Sequence, residues 1–207
     1  MITKKLDLGL IMVEDVFNNG NQIIEHLENY NLKSETDGYG TIWNPWKDGQ
    51  DNIFCYEKRL ESKDTLLSNH KYYQEELFLM NEINSIADKA LEEYFKEYTF
   101  ARANLKGREK PNILKYVQGG FLPPHQDHGV STRALSVLIY LNDNYEGGEI
   151  SFPISNVTIK PKAGSVVLFP SNFLYVHTIS SMKSGVRYSI PAWFHNRHDM
   201  LMSDGTE

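Results

Sequence analysis

The sequence predicts an α+β fold that is mainly β, in which helices come first and a sandwich or barrel of short strands follows. Apolar residues recur every three or four positions over 72–98, and this spacing predicts a long amphipathic helix packed against a sheet. From 112 to 194 the apolar runs are short, β-branched and separated by turns, which is typical of a sandwich or barrel. No linker interrupts the chain, so we expect a single domain over 1–207, with helical support in 1–110 and the β body in 111–196.

The first part of the chain is predicted to supply one strand, one helix and one loop. The segment 6–16 is rich in Leu, Ile and Val and is predicted as the first strand. Asn18 and Asn21 can cap a helix that carries apolar residues on one face. The segment 37–51 is dense in Gly, Asp and Asn, and it is predicted as a loop in which two tryptophans act as anchors.

The β body is predicted from short apolar runs that alternate with turns. The glycine pair within 146–149 allows a tight hairpin, so this turn is interpreted as structural. The predicted strands are 113–117, 135–141, 149–152, 157–159, 165–169, 176–179 and 187–194.

Composition and charge exclude several classes of protein. Lys and Arg number 21 and Asp and Glu 27, and the net charge of −6 argues against a protein that binds nucleic-acid phosphates. The single cysteine, Cys55, excludes an internal disulfide framework and a cysteine-rich zinc module. No apolar run is long enough to span a bilayer, and acidic residues make the N-terminal segment a poor signal peptide. We therefore expect a soluble, cytoplasmic protein without nucleic-acid or membrane partners, and its oligomeric state stays open.

Potential metal ligands occur as a closely spaced pair and a third, distant residue. His125 and Asp127 are two residues apart, so in a strand their side chains point to the same face. His177 lies in another short predicted strand. Two histidines and one carboxylate on one face form the facial triad of non-haem Fe(II) oxygenases, which leaves metal positions open for a chelating co-substrate and dioxygen. A chance His-x-Asp pair and a buried core histidine are the alternatives.

A candidate anion receptor follows the third ligand. Arg187 and Ser189 lie in the next predicted strand and share one face, so a guanidinium and a hydroxyl are available together for a carboxylate. The surrounding run VRYSIPAWF is otherwise apolar, and a buried arginine needs an anion. A small dicarboxylate that reaches from the metal to Arg187 would supply it, whereas a solvated surface charge is the alternative.

A series of short motifs runs through 112–194. They are KYVQG at 115–119, HQD at 125–127, IYLNDNYEGGEISFP, PKAGSVVLF, His177 and Arg187. In order and spacing these motifs resemble the Fe(II)/2-oxoglutarate-dependent dioxygenases, and within them the prolyl 4-hydroxylase-like branch. The resemblance implies a double-stranded β-helix, a cupin-like jelly roll, with supporting N-terminal helices.

The resemblance also implies cofactors and a role for each matching residue. Fe2+, 2-oxoglutarate and O2 would support hydroxylation of a C–H bond with release of succinate and CO2, and ascorbate comes into consideration as a further cofactor. Core packing is the alternative role for Tyr116 and Trp193. The implied residues are His125, Asp127 and His177 for the metal, Arg187, Tyr116 and Ser189 for 2-oxoglutarate, and Arg133 and Trp193 for the substrate.

Four functions follow from these observations. The leading hypothesis is a peptidyl hydroxylase, specifically a prolyl hydroxylase, and the second is a hydroxylase of a free amino acid or another small molecule. The prolyl branch usually has lysine where Arg187 stands and tyrosine where Leu122 stands, and these departures bear on peptide specificity. A nucleic-acid demethylase would have a second arginine at Trp193. A non-catalytic cupin-like binding module is the alternative from another class.

The remaining histidines receive lesser roles. His128 follows the metal pair on the opposite strand face, so no metal contact is expected there. His195 and His198 end the last strand, where a polar strand exit is favoured over a surface metal site.

Overall fold

The computed structural model describes residues 1–37, 43–48, 52–59, 73–129 and 132–196. The described helices are α1 Gly20–Asp37, α2 Tyr73–Glu97 and α3 Ala101–Asn104, with a 3-10 turn at Phe173–Tyr175. The described strands are β1 Ile2–Asp7, β2 Leu10–Glu14, β3 Asn44–Lys47, β4 Ile53–Arg59, β5 Gly107–Arg108, β6 Asn112–Tyr116, β7 Leu122–His125, β8 Arg133–Tyr140, β9 Ile150–Phe152, β10 Val157–Ile159, β11 Val166–Pro170, β12 His177–Ile179 and β13 Arg187–His195.

The larger sheet has the strand order β1-β2-β11-β8-β13-β6-β4-β3, and β5 pairs with the end of β13. Its strands alternate between two apolar cores, as the period of two in a strand requires. Ile139, Leu168 and Ile190 belong to the core shared with α1 and α2. Tyr140 and Val167, each next to one of these residues in sequence, belong to the core on the opposite face.

The smaller sheet has the order β10-β9-β12-β7 and covers the second core of the larger sheet. Ile150, Phe152 and Ile179 from this sheet pack in the same cluster as the inward-facing residues of the larger one. Strand β7 contains Pro123 and Pro124, and it lies at the sheet edge because proline has no N–H for a second neighbour. Two facing antiparallel sheets with helices outside confirm the predicted double-stranded β-helix.

The long amphipathic helix is confirmed as α2, within two residues of its predicted bounds. Its residues Leu79, Ile83, Ile86 and Ala90 recur every three or four positions. They are buried in the core between the larger sheet and helices α1 and α2, called the outer core below. They face the larger sheet, so the hydrophobic effect fixes the helix there. Among the described residues, no helix has the length and apolar character needed to cross a membrane.

The prediction of one strand over 6–16 is wrong, because the chain turns back there as the hairpin β1–β2. Gly9 occupies the turn with φ +74°, a conformation that glycine adopts without steric cost. Its N–H donates to the hydroxyl of Tyr98 at 2.8 Å, and the hydroxyl of Tyr94 donates to its carbonyl at 3.3 Å. The turn is therefore held against the end of α2.

The prediction of a loop over 37–51 is wrong at β3, which pairs with β4 as an antiparallel hairpin. Residues 38–42 and 49–51 of that prediction lie outside the described residues. Trp43 packs against the outer core beside Lys58, whose ammonium lies 5.4 Å from the indole centroid. Packing of Trp43 thus supports the hairpin, which loop-forming residues obscured in the sequence.

Candidate metal centre

Two strands of the smaller sheet bring the three predicted metal ligands together. Strands β7 and β12 pair antiparallel, and His125 lies directly opposite His177. Asp127 follows just beyond the end of β7, and its Oδ1 lies 3.6 Å from Nε2 of His125. Ligand atoms of the three residues all lie within 4.8 Å of one another, and they form the one such cluster found in the described part of the chain. The predicted grouping is present, although Asp127 reaches it from a turn and not from the strand.

Backbone carbonyls orient both imidazole rings. Nδ1 of His125 donates to the carbonyl of Pro123 at 2.9 Å, and Nδ1 of His177 donates to the carbonyl of Tyr175 at 3.1 Å. With the proton on Nδ1, the lone pair of each ring is on Nε2. Each ring is therefore prepared to bind a metal through Nε2, in the arrangement that supporting hydrogen bonds give to metal-bound histidines.

Burial keeps His177 neutral. Its ring packs against Phe169 and Phe152, with centroid distances of 4.9 and 5.7 Å. This burial lowers the pKa of His177 to about 4, the Asp127 carboxylate opposes the shift, and Arg187 contributes a smaller lowering. A neutral imidazole is the form that binds a metal. Two nitrogens and one carboxylate oxygen are a donor set that suits Fe2+.

Arg187 is the largest of the fully buried side chains, with 1% of its surface exposed. Its Nε and Nη1 atoms are buried without a hydrogen-bond partner, and no carboxylate of the described residues forms an ion pair with it. The guanidinium lies 4.7 Å from the ring centroid of Tyr116 and 5.0 Å from that of Tyr140. A buried cation with two vacant donors is a ready receptor for a carboxylate.

Three tyrosines and one serine complete the surroundings of this guanidinium. Burial raises the pKa of Tyr116, Tyr140 and Tyr145, that of Tyr145 to about 12, so all three hydroxyls are neutral near pH 7. They therefore do not cancel the charge of the arginine. Ser189, on the same face of β13 as Arg187 and almost fully buried, lies opposite Tyr140 in β8. Sequence reasoning missed Tyr140 and Tyr145, although both lie in the quoted IYLNDNYEGGEISFP motif.

The glycine pair predicted as a structural turn also makes room for the guanidinium stem. Gly147 and Gly148 have φ of +75° and +67°, which glycine adopts without steric cost. A Cβ on Gly148 would lie 2.6 Å from Sδ of Met182 and 3.2 Å from Cδ of Arg187. The turn is therefore needed both for its backbone conformation and for the close approach of Arg187.

Arg133 and Trp193, the predicted substrate residues, lie together beside the metal cluster. The Arg133 guanidinium stacks 3.7 Å from the Trp193 ring centroid. It also binds both carboxylate oxygens of Glu109, at 2.5 and 2.6 Å, and donates to the backbone carbonyl of Asp127 at 3.3 Å. Sequence reasoning missed Glu109, which precedes the β body and carries no motif. The structure brings the pair to the cluster, and their contact with a substrate stays a prediction.

The other histidines of the described residues do not join the cluster. Nδ1 of His128 donates to the carbonyl of Arg133 at 2.7 Å, and the lack of a metal contact stays a prediction. His195 ends β13 as expected, but it is 2% exposed, so it does not form a solvated polar exit from the strand. Its Nδ1 lies 2.9 Å from Oγ1 of Thr132 and its Nε2 lies 2.8 Å from Glu109. His198 lies outside the described residues.

A jelly roll that presents two imidazoles and a carboxylate on one inner face is the fold and donor set of a mononuclear non-haem iron protein. Comparison with known proteins agrees with this class. Residues 111–195 match the sequence model described as the 2OG-Fe(II) oxygenase superfamily. The β body of the chain is therefore similar to the 2OG-Fe(II) oxygenase superfamily of enzymes and to prolyl 4-hydroxylases.

Curated relatives share parts of this chain. Prolyl 4-hydroxylase 1 of Arabidopsis thaliana is 26% identical over 126 residues, which cover 47% of this chain and 44% of that protein. A PKHD-type hydroxylase of Prochlorococcus marinus is 24% identical over 151 residues, which cover 72% of this chain and 65% of that protein. The chain thus spans less than two thirds of the length of these relatives.

Solved structures share the fold over most of the chain. A prolyl hydroxylase from Trichoplax adhaerens, solved in complex with a peptide fragment of the hypoxia-inducible-factor oxygen degradation domain, matches with a TM-score of 0.64 at 16% identity. That match covers 91% of this chain and 84% of the other. A prolyl-4-hydroxylase from Pseudomonas putida matches with a TM-score of 0.58 at 17% identity, over 91% and 93% of the two chains.

Proposed function

We propose that this protein is an Fe(II)- and 2-oxoglutarate-dependent hydroxylase of a C–H bond in a proline-containing peptide, with release of succinate and CO2. The observation that carries the proposal is Arg187, a fully buried guanidinium with two vacant donors in the larger sheet, across the inner core from the smaller sheet that carries the metal cluster. A buried charge without an ion-pair partner costs several kcal/mol. A bound carboxylate removes that cost, which explains why an arginine is kept in an apolar strand.

The metal ligands and the carboxylate receptor would have separate roles. His125, Asp127 and His177 would hold the metal. When bound together, Fe2+, 2-oxoglutarate and O2 supply the oxidising power for hydroxylation of an unactivated C–H bond. Arg187 and Ser189 would bind the distal carboxylate of 2-oxoglutarate, and the neutral tyrosine hydroxyls around them add hydrogen bonds without adding negative charge. The apolar rings that bury His177 exclude water from the reacting atoms.

The peptide substrate is supported by the relatives and by the surface beside the metal. The relatives that share the β body are named prolyl and PKHD-type hydroxylases. Arg133 and Trp193 form a planar stack next to Asp127, and each is partly exposed. Because Glu109 neutralises Arg133, this stack presents a flat surface without net charge, which suits a peptide group or a pyrrolidine ring. Ascorbate dependence and a cytoplasmic location stay predictions.

The test measures 2-oxoglutarate turnover. The protein is loaded anaerobically with Fe2+ and 2-oxoglutarate and then exposed to O2 with proline-containing peptides or with free amino acids. Succinate is quantified, and the masses of the products are measured by mass spectrometry. We expect succinate from the wild type, its loss in His177→Ala, and a peptide product heavier by one oxygen. His26→Ala, which changes a histidine in α1 outside the cluster, is the matched control.

Three outcomes would contradict the proposal. Oxygen transfer to a free amino acid alone would replace the peptide with a small molecule. Succinate production that survives His177→Ala would refute the metal assignment. Binding of Fe2+ and 2-oxoglutarate without any turnover of either the co-substrate or the tested compounds would favour a non-catalytic binding module.

A further inference from the structure

The two carboxylate oxygens of Asp127 lie in different surroundings. Oδ1 faces Nε2 of His125 at 3.6 Å and so lies on the metal side. Oδ2 accepts a hydrogen bond of 2.6 Å from Oγ of Ser136. Ser136 comes from β8 in the opposite, larger sheet and is completely buried. One oxygen of the ligand is therefore engaged by the protein, whereas the other is directed to the metal cluster.

A second buried hydroxyl stands behind the first. Oγ of Ser171 lies 2.8 Å from Oγ of Ser136. Because a hydroxyl has one proton and Ser136 uses it toward the carboxylate, Ser171 must donate to Ser136. The direction of the chain is thus from Ser171 through Ser136 to Asp127. Successive donations polarise each other, which strengthens the final bond to the carboxylate.

The backbone anchors both ends of this chain. The N–H of Ser171 donates to the carbonyl of Ala134 at 3.1 Å, and its carbonyl accepts from the N–H of His128 at 2.9 Å. These bonds link the end of β11 to the start of β8 and to the residue that follows Asp127. Arg133 holds the carbonyl of Asp127 from the same side. The carboxylate consequently has a fixed position relative to both sheets.

We infer that Ser136, supported by Ser171, is a positioning residue that makes Asp127 a ligand through Oδ1 alone. This inference rests on the proposed function. A carboxylate that bound through both oxygens would occupy an additional metal position, which 2-oxoglutarate and O2 need. The Ser136 hydrogen bond occupies Oδ2 and holds it away from the metal, so it keeps that position open.

The test compares metal binding in Ser136→Ala, Ser136→Thr and the wild type, with Co2+ as the probe. Isothermal titration gives the Co2+ affinity, and the visible absorption of bound Co2+ reports its coordination. We expect Ser136→Ala to bind Co2+ about 10- to 100-fold more weakly and with altered absorption bands. Ser136→Thr, which keeps the hydroxyl, should restore both. Ser165→Ala is the matched control, because Ser165 is equally buried but its hydroxyl has no hydrogen-bond partner among the residues that the structure describes.

Each result decides between defined alternatives. Wild-type affinity and absorption in a folded Ser136→Ala protein would overturn the inference while leaving the metal site itself intact. If Ser136→Ala does not fold, Ser171→Ala decides the question. It weakens the series of hydrogen bonds but leaves Oδ2 of Asp127 paired with Ser136. It should shift the Co2+ absorption in the same direction and by less, and no shift would overturn the inference. Co2+ binding that is absent in the wild type, or unaffected by His177→Ala, would instead contradict the proposed function.

Discussion

Replacement of Arg187 by methionine separates binding from stability. Methionine is close to the arginine stem in shape but has no charge, so Arg187→Met removes the guanidinium from an apolar site where it has no ion-pair partner among the described residues. For a structural arginine, such a change would lower the stability of the ligand-free protein. For an anion receptor, it should lower affinity for the anion and leave the ligand-free protein equally stable or more stable.

The two vacant donors of Arg187 set the size of the binding effect. A hydrogen bond to a charged group contributes about 1.5–3 kcal/mol, so two of them contribute at least about 3 kcal/mol. The dissociation constant of 2-oxoglutarate should therefore rise by about 100-fold or more. For the ligand-free protein, loss of an unpaired buried charge offsets loss of the two ring contacts, each worth about 0.5–2 kcal/mol.

Thermal unfolding with and without 2-oxoglutarate, in the anaerobic Co2+-loaded protein, measures both effects. At a ligand concentration 100 times the wild-type Kd, binding stabilises the wild type by about 2.7 kcal/mol, which is about 5–10 °C in Tm. At the same concentration the variant should gain about 0.4 kcal/mol, or about 1–2 °C. Arg102→Met, which removes an exposed ion pair with Glu92, is the control and should keep the full ligand shift.

An unchanged 2-oxoglutarate shift in Arg187→Met would refute the assignment of Arg187 as the carboxylate receptor. A ligand-free variant that unfolds more than about 5 °C below the wild type would show that the guanidinium mainly supports the fold, contrary to the reasoning from its vacant donors.

Three further predictions concern the fold around the site. Burial raises the pKa of Cys55 from 9.0 to about 12, so the thiol form is favoured. Alkylation by iodoacetamide at pH 8 should therefore be about 1000-fold slower in the native than in the urea-unfolded chain, and a native rate within tenfold of the unfolded rate would contradict this. Gly148→Ala should cost about 1–3 kcal/mol in urea unfolding and weaken 2-oxoglutarate binding, because its Cβ meets side-chain atoms at 2.6 and 3.2 Å. Gly119→Ala, with nothing within 4 Å, should show the backbone cost alone, and equal binding losses would refute the packing argument. Leu79→Ala in α2 should lower the free energy of unfolding by about 2–5 kcal/mol, whereas its half-exposed neighbour Phe78 should tolerate alanine with a loss below about 1 kcal/mol; similar losses would contradict the assigned helix face.

Patterns of short range in the chain were enough to predict much of the framework. The spacing of apolar residues predicted α2 because the helical period places them on one face. The alternation of short apolar runs and turns predicted most strands of the β body. Strand β7 is not among the predicted apolar runs because two prolines are unfavourable in a strand, and only its place at a sheet edge makes them tolerable. The hairpin β3–β4 escaped because its strands gain their stability from distant packing partners.

The sequence by itself determined which chemical groups are present: two imidazoles, a carboxylate and a guanidinium, in an order that resembles one enzyme superfamily. Only the tertiary structure decided that these groups meet, since the antiparallel pairing of β7 with β12 places His125 opposite His177. It also decided that Arg187 is buried without an ion-pair partner in the described part of the chain, that Ser136 reaches Asp127 from the other sheet, and that His195 is internal. The physical reason is that burial and hydrogen bonding depend on what the opposing sheet brings within a few ångströms. Such contacts join residues far apart in the chain, and no local pattern records them.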